Sequence, residues 1–532
     1  MLSEIPKKIQ NTVLIIIPII NTLNTSLRAE KGFTLLATMS GDSVGDEFCV
    51  VANVGDVNGN GYPDVLVGAP GGEYAKLHFG GASFDTIPDL IFRDEKQYTR
   101  FGCSVAGDGD VNGDGYPDIV IGASSTWVGP SFPDRSITAA GAAYVYFGGP
   151  GMDTIPDLEL FVGNWEEQVG WYYGFGKAAI IAGDVNGDGY DDIVIGAAND
   201  DYDAHGRVYI YFGGPDIDAE YDILLEGEDH FDNFGLSISV VGDINKDGFD
   251  DVLIGAPQLL SDNPGKAYLV YGGEEINLLA ATVFIGDSTM VGNYYGNVVA
   301  GLGDVNGDGY PDVGIMAQHY IRIFLGGPNI DLVPNITMIS VIDFWYISGL
   351  GDLNKDGYDD IGVVSKHFEL LLGSAVIDTM PDISFDNWYS PICRLGDINF
   401  DSYIDIGLCR SGGWDPIGKV YIYSYGKPNK INEGSSFLKD FRLYQNYPNP
   451  FNIVTTIIFS LPEVSQVKTE VYDLTGRRVA VLCDRHYPAG TYSVQFDGSA
   501  LASGIYILRS RMASIENPDK PQVFTRKMML MK

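Results

Sequence analysis

Along most of the chain, apolar runs of five to nine residues rich in Val, Ile and Tyr alternate with turns rich in Gly, Asp, Asn and Pro. Runs of that length, punctuated by glycine, read as strands and leave little room for helices. One stretch shows the pattern well. Asp157 to Val162, Phe175 to Gly183, Asp192 to Ala197 and Gly206 to Gly213 read as four strands, with an acidic turn from Asp184 to Asp192 between the second and third. The acidic turn opens seven times, at Asp56, Asp110, Asp184, Asp243, Asp304, Asp352 and Asp397, with spacings of 54, 74, 59, 61, 48 and 45 residues. Four antiparallel strands per unit at such intervals predict an all-β, seven-bladed β-propeller. The first unit opens on a lone strand, Phe33 to Met39, and the last stops at Lys419 to Tyr425 with no outer strand following. The N-terminal strand is therefore expected to close the last blade and leave no edge unpaired.

The recurring turn is a nonapeptide whose oxygen-bearing residues suit a hard divalent cation. In its third copy Asp184, Asn186 and Asp188 alternate so that their oxygens converge, Gly189 permits the sharp bend, and the Tyr190 carbonyl and Asp192 carboxylate complete the set. With no sulfur or imidazole present, zinc and copper are poor candidates and calcium is the expected ion, up to seven of them in structural sites. The same five positions are Asp56, Asn58, Asn60, Tyr62 and Asp64 in the first copy and Asp110, Asn112, Asp114, Tyr116 and Asp118 in the second. They are Asp243, Asn245, Asp247, Phe249 and Asp251 in the fourth, and Asp304, Asn306, Asp308, Tyr310 and Asp312 in the fifth. The last two copies supply Asp352, Asn354, Asp356, Tyr358 and Asp360, then Asp397, Asn399, Asp401, Tyr403 and Asp405. Asn60 removes one carboxylate from the first copy and Ser402 replaces the bending glycine of the last, so those two are expected to bind most weakly.

The chain is 532 residues long, too long for one compact core unless it is a repeat array. With 71 acidic against 33 basic residues its formal charge is −38, which argues against nucleic acid and anionic membranes as partners. At the N-terminus Lys7 and Lys8 precede an apolar run, Val13 to Ile20, and Ala29 offers a small residue for cleavage, so residues 1–29 read as a signal peptide and no membrane span is expected in the mature chain. Cys49, Cys103, Cys393, Cys409 and Cys483 are too few and too scattered for a disulfide scaffold. Cys393 and Cys409 flank one loop and are read as separate small core residues.

Phe101-Gly102, Phe175-Gly176 and Phe234-Gly235 before the loops, with Gly68-Ala69-Pro70 and Gly255-Ala256-Pro257 after them, resemble FG-GAP repeats. The resemblance covers residues 33 to 425 and implies the seven-bladed head of integrin alpha subunits, with calcium in the hairpin between the first two strands of a blade. EF-hand and dockerin loops open alike but need helical flanks and a ligand at position twelve, whereas these flanks alternate like strands and an aspartate stands at position nine. Residues 30–425 are thus assigned to the propeller and the polar segment 426–436 to a linker.

Residues 437–532 read as a small Ig-like β-sandwich, with strands at Thr455 to Ser460, Val467 to Asp473, Arg478 to Leu482, Gly490 to Phe496, Gly504 to Arg511 and Val523 to Met531. The runs Tyr447-Pro448-Asn449-Pro450-Phe451-Asn452, Val471-Tyr472-Asp473-Leu474-Thr475-Gly476-Arg477 and Leu501-Ala502-Ser503-Gly504-Ile505-Tyr506 resemble the C-terminal sorting domain of the type IX secretion system. That resemblance implies the type IX machinery as a partner and a protein that is secreted or attached to the outer surface of a Gram-negative bacterium.

No catalytic constellation emerges. The six histidines are dispersed, and the repeated aspartates are committed to metal, which makes them poor general acids. Asp85, Asp153, Asp218, Asp331 and Asp378 recur in the turns after the third strands, where bonding to local backbone is expected. Long insertions gather on the face opposite the acidic loops. They carry Trp127 in 124–140, Trp165, Trp171, Tyr172 and Tyr173 in 163–174, and Trp414 in 410–418, a candidate aromatic rim for a carbohydrate or protein ligand. Trp345 and Trp388 are expected in the core. The favoured reading is a non-enzymatic binding or adhesion module; the alternatives are a surface-polymer hydrolase working through a rim carboxylate such as Asp134 or Glu166, and a purely structural surface protein.

Overall fold

In the computed structural model the chain divides into two compact units, Met1–Lys427 and Pro428–Lys532. The structure describes residues 14–16, 33–82, 84–94, 99–124, 141–162, 174–198, 205–229, 231–258, 264–288, 294–340, 343–377, 379–385, 391–412, 415–425, 441–443, 446, 451–461, 464–487, 490–514 and 520–532.

The first unit is a β-propeller. Among the described residues it contains seven repeated sheets, each built on four consecutive antiparallel strands except the last. The third is typical, with Phe175–Ile181 innermost, then Ile193–Ala197, Arg207–Tyr211 and Ile223–Glu226. In the seventh sheet Ile392–Gly396, Asp405–Gly412 and Asp415–Tyr425 are completed by Phe33–Ser40, which pairs antiparallel with Asp415–Tyr425. The expected closure by the N-terminal strand is therefore observed. Leu14–Ile16 additionally runs parallel to Ile336–Ile339, the outer strand of the fifth sheet. The two long insertions at 125–140 and 163–173 lie outside the described residues, as do most of the segment read as a signal peptide and the segment read as a linker.

The second strand of each sheet is buried on both faces and accordingly carries almost unbroken Val, Ile, Leu and Gly, as Val65–Ala69 and Ile193–Ala197 do. The apolar cores lie between neighbouring sheets. Val54, Leu66, Phe101 and Tyr144 join the first sheet to the second, and Ala182, Val194, Phe234 and Ile254 join the third to the fourth. Met39, Phe48, Val65, Ile398 and Cys409 form the cluster between the seventh sheet and the first, so the seam that closes the ring is packed like the others. The innermost strands touch in cyclic order, Ile392–Gly396 reaching Val50–Asn53. Cys393 lies opposite Gly407 and Cys409 donates its N–H to the Pro391 carbonyl, so the two thiols sit diagonally on adjacent strands and both are free.

The second unit has two sheets around one core. Arg442–Leu443, Val454–Leu461 and Gly490–Asp497 form one, and Arg478–Tyr487, Ser465–Asp473, Gly504–Ser514 and Gln522–Leu530 form the other. Ile457, Phe459, Val467, Val471, Leu508 and Met528 are fully buried between them. Alternating burial along Ser465–Asp473 is the period-two pattern of a strand with one face on a core.

Candidate metal centres

Each acidic nonapeptide links the first and second strands of its sheet and takes one conserved shape within the chain. Its fourth position is left-handed in all seven copies, from Gly59 (φ 71°) to Phe400 (φ 54°), and so is its sixth, from Gly61 (φ 91°) to Ser402 (φ 74°). In the third loop Asp184 Oδ1 accepts the Gly187 and Asp188 N–H groups at 2.6 and 3.0 Å, and Oδ2 accepts the Gly189 N–H at 2.8 Å. Asn186 Oδ1 accepts from Asp188 N–H at 2.8 Å, and Asp188 Oδ1 accepts from Tyr190 N–H at 3.0 Å. The first aspartate gathers the fifth- and sixth-position amides in all seven copies.

The ninth-position aspartates do more than ligand counting anticipates. Asp192 is fully buried; Oδ2 accepts the Val185 N–H at 2.9 Å and Oδ1 the Gly213 N–H at 2.8 Å, fastening the loop to the Gly-Gly turn that follows the third strand. Asp64, Asp118, Asp251, Asp312 and Asp360 repeat both bonds. Asp405 takes the Ile398 N–H, and the turn expected to supply its second amide lies outside the described residues. Burial, opposed by those amides but reinforced by the first-position carboxylate, pushes these groups up to about 7 in the first six loops and about 8 at Asp405.

Among the described residues no three Asp, Glu, His or Cys side chains already stand at metal-ligand geometry, because the loop carboxylates are turned onto backbone amides. The donor set nevertheless fits a hard cation. It is all oxygen, and a divalent charge offsets the burial and mutual repulsion that push the ninth-position carboxyls up. The residues that would hold it are the first, third, fifth and ninth side chains and the seventh carbonyl, and loading needs side-chain rotation within a backbone turn that is already formed.

One bond separates the first and last loops from the rest. In loops two to six the third-position Asn donates to the fifth-position Asp, as Asn186 does to Asp188 at 2.9 Å. In loops one and seven it donates to the ninth position instead, Asn58 to Asp64 at 3.0 Å and Asn399 to Asp405 at 3.4 Å. The two loops with altered sequences are thus also the two with altered bonding.

Asp85, Asp153, Asp218 and Asp331 each accept the N–H two residues on, the local turn bond expected of them, and Asp378 lies outside the described residues. A second recurring group was not anticipated. Asp89, Asp157, Asp222, Asn335 and Asp382 each accept a backbone N–H ten residues earlier, pinning the outer strand to the third. The repeated Ile-Pro-Asp of residues 87–89 and 155–157 was its visible signal. All six candidate rim residues, Trp127, Trp165, Trp171, Tyr172, Tyr173 and Trp414, lie outside the described residues, as does Trp388. Trp345 corrects its core assignment: it precedes its inner strand and is 37% exposed, because the strand begins only at Tyr346.

Fold and loops together define a β-propeller of FG-GAP repeats. Residues 51–80, 101–146, 178–211 and 234–271 match the FG-GAP repeat, so the last three loops lie outside the matched stretches yet keep the same turn. The chain is similar to integrin alpha-5 of Xenopus laevis, 28% identical over 296 residues covering 50% of this chain and 26% of that protein. It is 37% identical to integrin alpha-6 of Gallus gallus over 176 residues, 32% and 15% of the two chains. Against integrin alpha-8 of Homo sapiens it is 27% identical over 335 residues, 57% and 29%. The match thus spans under a third of each relative's length. Residues 445–520 match the secretion system C-terminal sorting domain, so the chain joins FG-GAP repeats to a tail that marks it for export, secreted or held at the cell surface. No helix among the described residues is long and apolar enough to cross a membrane.

Proposed function

We propose that the protein is a calcium-stabilised binding or adhesion module: a seven-bladed propeller over residues 30–425, following a signal peptide at 1–29 and joined through a linker at 426–436 to an Ig-like sorting domain at 437–532. The type IX secretion machinery exports it by that domain, and the propeller then engages a carbohydrate or protein ligand outside the cell. The reading is carried by one observation, the same oxygen-lined turn repeated in seven loops of a closed ring. Such a ring is a rigid platform whose loops are free to vary, and the similarity to integrin alpha subunits, components of adhesion proteins, favours binding over turnover. The rim of Trp127, Trp165, Trp171, Tyr172, Tyr173 and Trp414 is the proposed contact surface.

The test is a glycan array and a pull-down from cell-surface extract, each with calcium and with chelator. Capture that needs calcium and is lost when the rim aromatics are changed to Ala supports the module. Calcium-dependent folding with no capture in either assay would leave a structural protein.

A further inference from the structure

The loops touch one another around the whole ring. The seventh-position ring of each loop lies on the fourth position of the loop before it: a methyl on Gly187 would stand 2.4 Å from Phe249, and one on Gly113 would stand 2.3 Å from Tyr190. Where the fourth position is not glycine the contact is a cation over a ring, Lys246 on Tyr310 at 4.2 Å and Lys355 on Tyr403 at 4.8 Å. The last joint is a stack, Phe400 on Tyr62 at 4.2 Å. All seven joints are therefore packed.

Only three are also clamped. Asp191 Oδ2 accepts the Asp110 N–H at 2.7 Å while the Asp191 N–H reaches the Asp110 carbonyl at 3.3 Å. Asp250 does the same to Asp184, at 3.0 and 3.0 Å, and Asp359 to Asp304, at 2.8 and 3.0 Å. These are the eighth positions of loops three, four and six, each bonded to the first candidate ligand of the preceding loop and each next in sequence to the ninth candidate ligand of its own. At the remaining joints the eighth position is Pro63, Pro117, Pro311 or Ile404. None offers a carboxylate, and proline offers no N–H.

We propose that Asp191, Asp250 and Asp359 are positioning residues that couple cation sites across sheets, so that loops two, three and four load as one cooperative block and loops five and six as a second. The inference rests on the reading of the loops as calcium sites. Fixing the first ligand of loop two fixes Asp191, and with it the neighbouring Asp192 of loop three. The other joints have no carboxylate clamp of this kind; where a backbone bond crosses them, as from the Gly149 N–H to the Val57 carbonyl at 2.7 Å or the Gly327 N–H to the Ile244 carbonyl at 3.1 Å, it ends on no candidate ligand. Coupling through such a contiguous, discretely bonded path is of the order of five- to a hundredfold in affinity.

The experiment is a calcium titration of the full chain, with ions counted by native mass spectrometry and heats followed by calorimetry. Wild type is expected to skip partly loaded states, with three ions and two ions entering as groups. Asp191→Ala should keep the final ion count but load loops two and three separately, with about tenfold weaker binding at loop two, whereas Asp191→Asn, which keeps an acceptor for the Asp110 N–H, should restore the grouping. Pro311→Asp provides a gain-of-function arm. At that joint a methyl on Gly242 would stand 3.8 Å from Pro311, leaving room for the carboxylate, and the two blocks should merge into one. A binomial spread of loaded states in wild type, or an unchanged grouping in Asp191→Ala, overturns the proposal while leaving the calcium reading intact. No bound calcium at millimolar excess overturns the calcium reading itself.

Discussion

The propeller and the tail reach stability by opposite electrostatic routes. Residues 1–427 hold 62 acidic and 20 basic side chains, whereas residues 428–532 hold 9 acidic and 13 basic. In the tail, carboxylates meet cations directly: Glu470 accepts from Arg478 at 2.7 Å, and Asp473 is held down to about 2, chiefly by the Thr475 hydroxyl and also by Arg477. In the propeller the ninth-position carboxylates meet neutral donors, chiefly backbone amides, and other carboxylates, and burial pushes them up to about 7, or about 8 at Asp405. One unit is self-neutralising, and the other carries a surplus of carboxylates that, on the proposed reading, a cation from outside completes. That difference suits a domain exported into a calcium-rich medium, where even weak sites are filled.

Removing the cation is the severest test of the contrast. At free calcium a hundredfold above its dissociation constant each filled site adds ~2.7 kcal/mol, so several sites together exceed the net stability of an ordinary domain. In scanning calorimetry chelator should lower the propeller's Tm by tens of degrees and leave the tail's transition in place. Transitions that shift together, or not at all, would show that the two units do not differ as described.

A mutational pair separates metal holding from fastening. Asp192→Ala strips the buried Val185 amide and the half-buried Gly213 amide of their acceptor and should cost ~3 kcal/mol even in chelator. Asp188→Ala removes a carboxylate at the exposed end of the same loop and should matter chiefly when calcium is present. Urea melts with and without calcium compare the two, and equal losses in chelator would remove the structural role given to Asp192.

Acid should move the two units in opposite directions. The ninth-position aspartates have folded values near 7 against an ordinary 3.8, so without metal the folded state binds more protons and gains stability as pH falls from about 7 towards 4. His78, buried and pushed down to about 3, opposes this below its ordinary 6.5, one group against seven. In the tail Asp473 is depressed, so its contribution is present above about 4 and is lost as pH falls towards 2. Thermal melts in chelator at pH 8, 6 and 4 should show the propeller rising before the tail begins to fall. A propeller that only weakens over that range would contradict the burial argument.

The ring and the loops were legible because they repeat: side-chain chemistry at fixed spacing survives as pattern, and a lone strand before the first unit with an outer strand missing from the last announces closure. What escaped is whatever depends on contacts between neighbouring loops, 55 to 81 residues apart at the three clamps. Nothing in Tyr190 or Asp191 alone says that the ring packs on Gly113 or that the carboxylate clamps Asp110, because both contacts exist only once the sheets stand side by side. The second duty of Asp192 was hidden for a similar reason, since Gly213, its partner, sits across the turn after the third strand. Trp345 was misjudged because it stands just before its inner strand, which begins at Tyr346, and is left 37% exposed.

The smallest effect expected lies in the seventh loop, where the sequence departs from the rest. Ser402 is held at φ 74°, a conformation that glycine adopts freely and serine does not, and the six other loops have glycine there. Its N–H still reaches Asp397 Oδ2 at 2.7 Å, so the turn is the same one under strain. Ser402→Gly relieves the strain but gives the unfolded chain more freedom, and the net gain should be about 0.5–1 kcal/mol. The change should appear equally in calcium and in chelator, because it acts on the turn rather than on its donors. Asn60→Asp in the first loop is the counterpart, adding a carboxylate at the cost of the Asn60 Nδ2 bond to the Gly80 carbonyl, and its benefit should appear only with calcium. If both substitutions respond alike to chelator in paired urea melts, the distinction between building the turn and supplying its charge fails at the two loops best placed to reveal it.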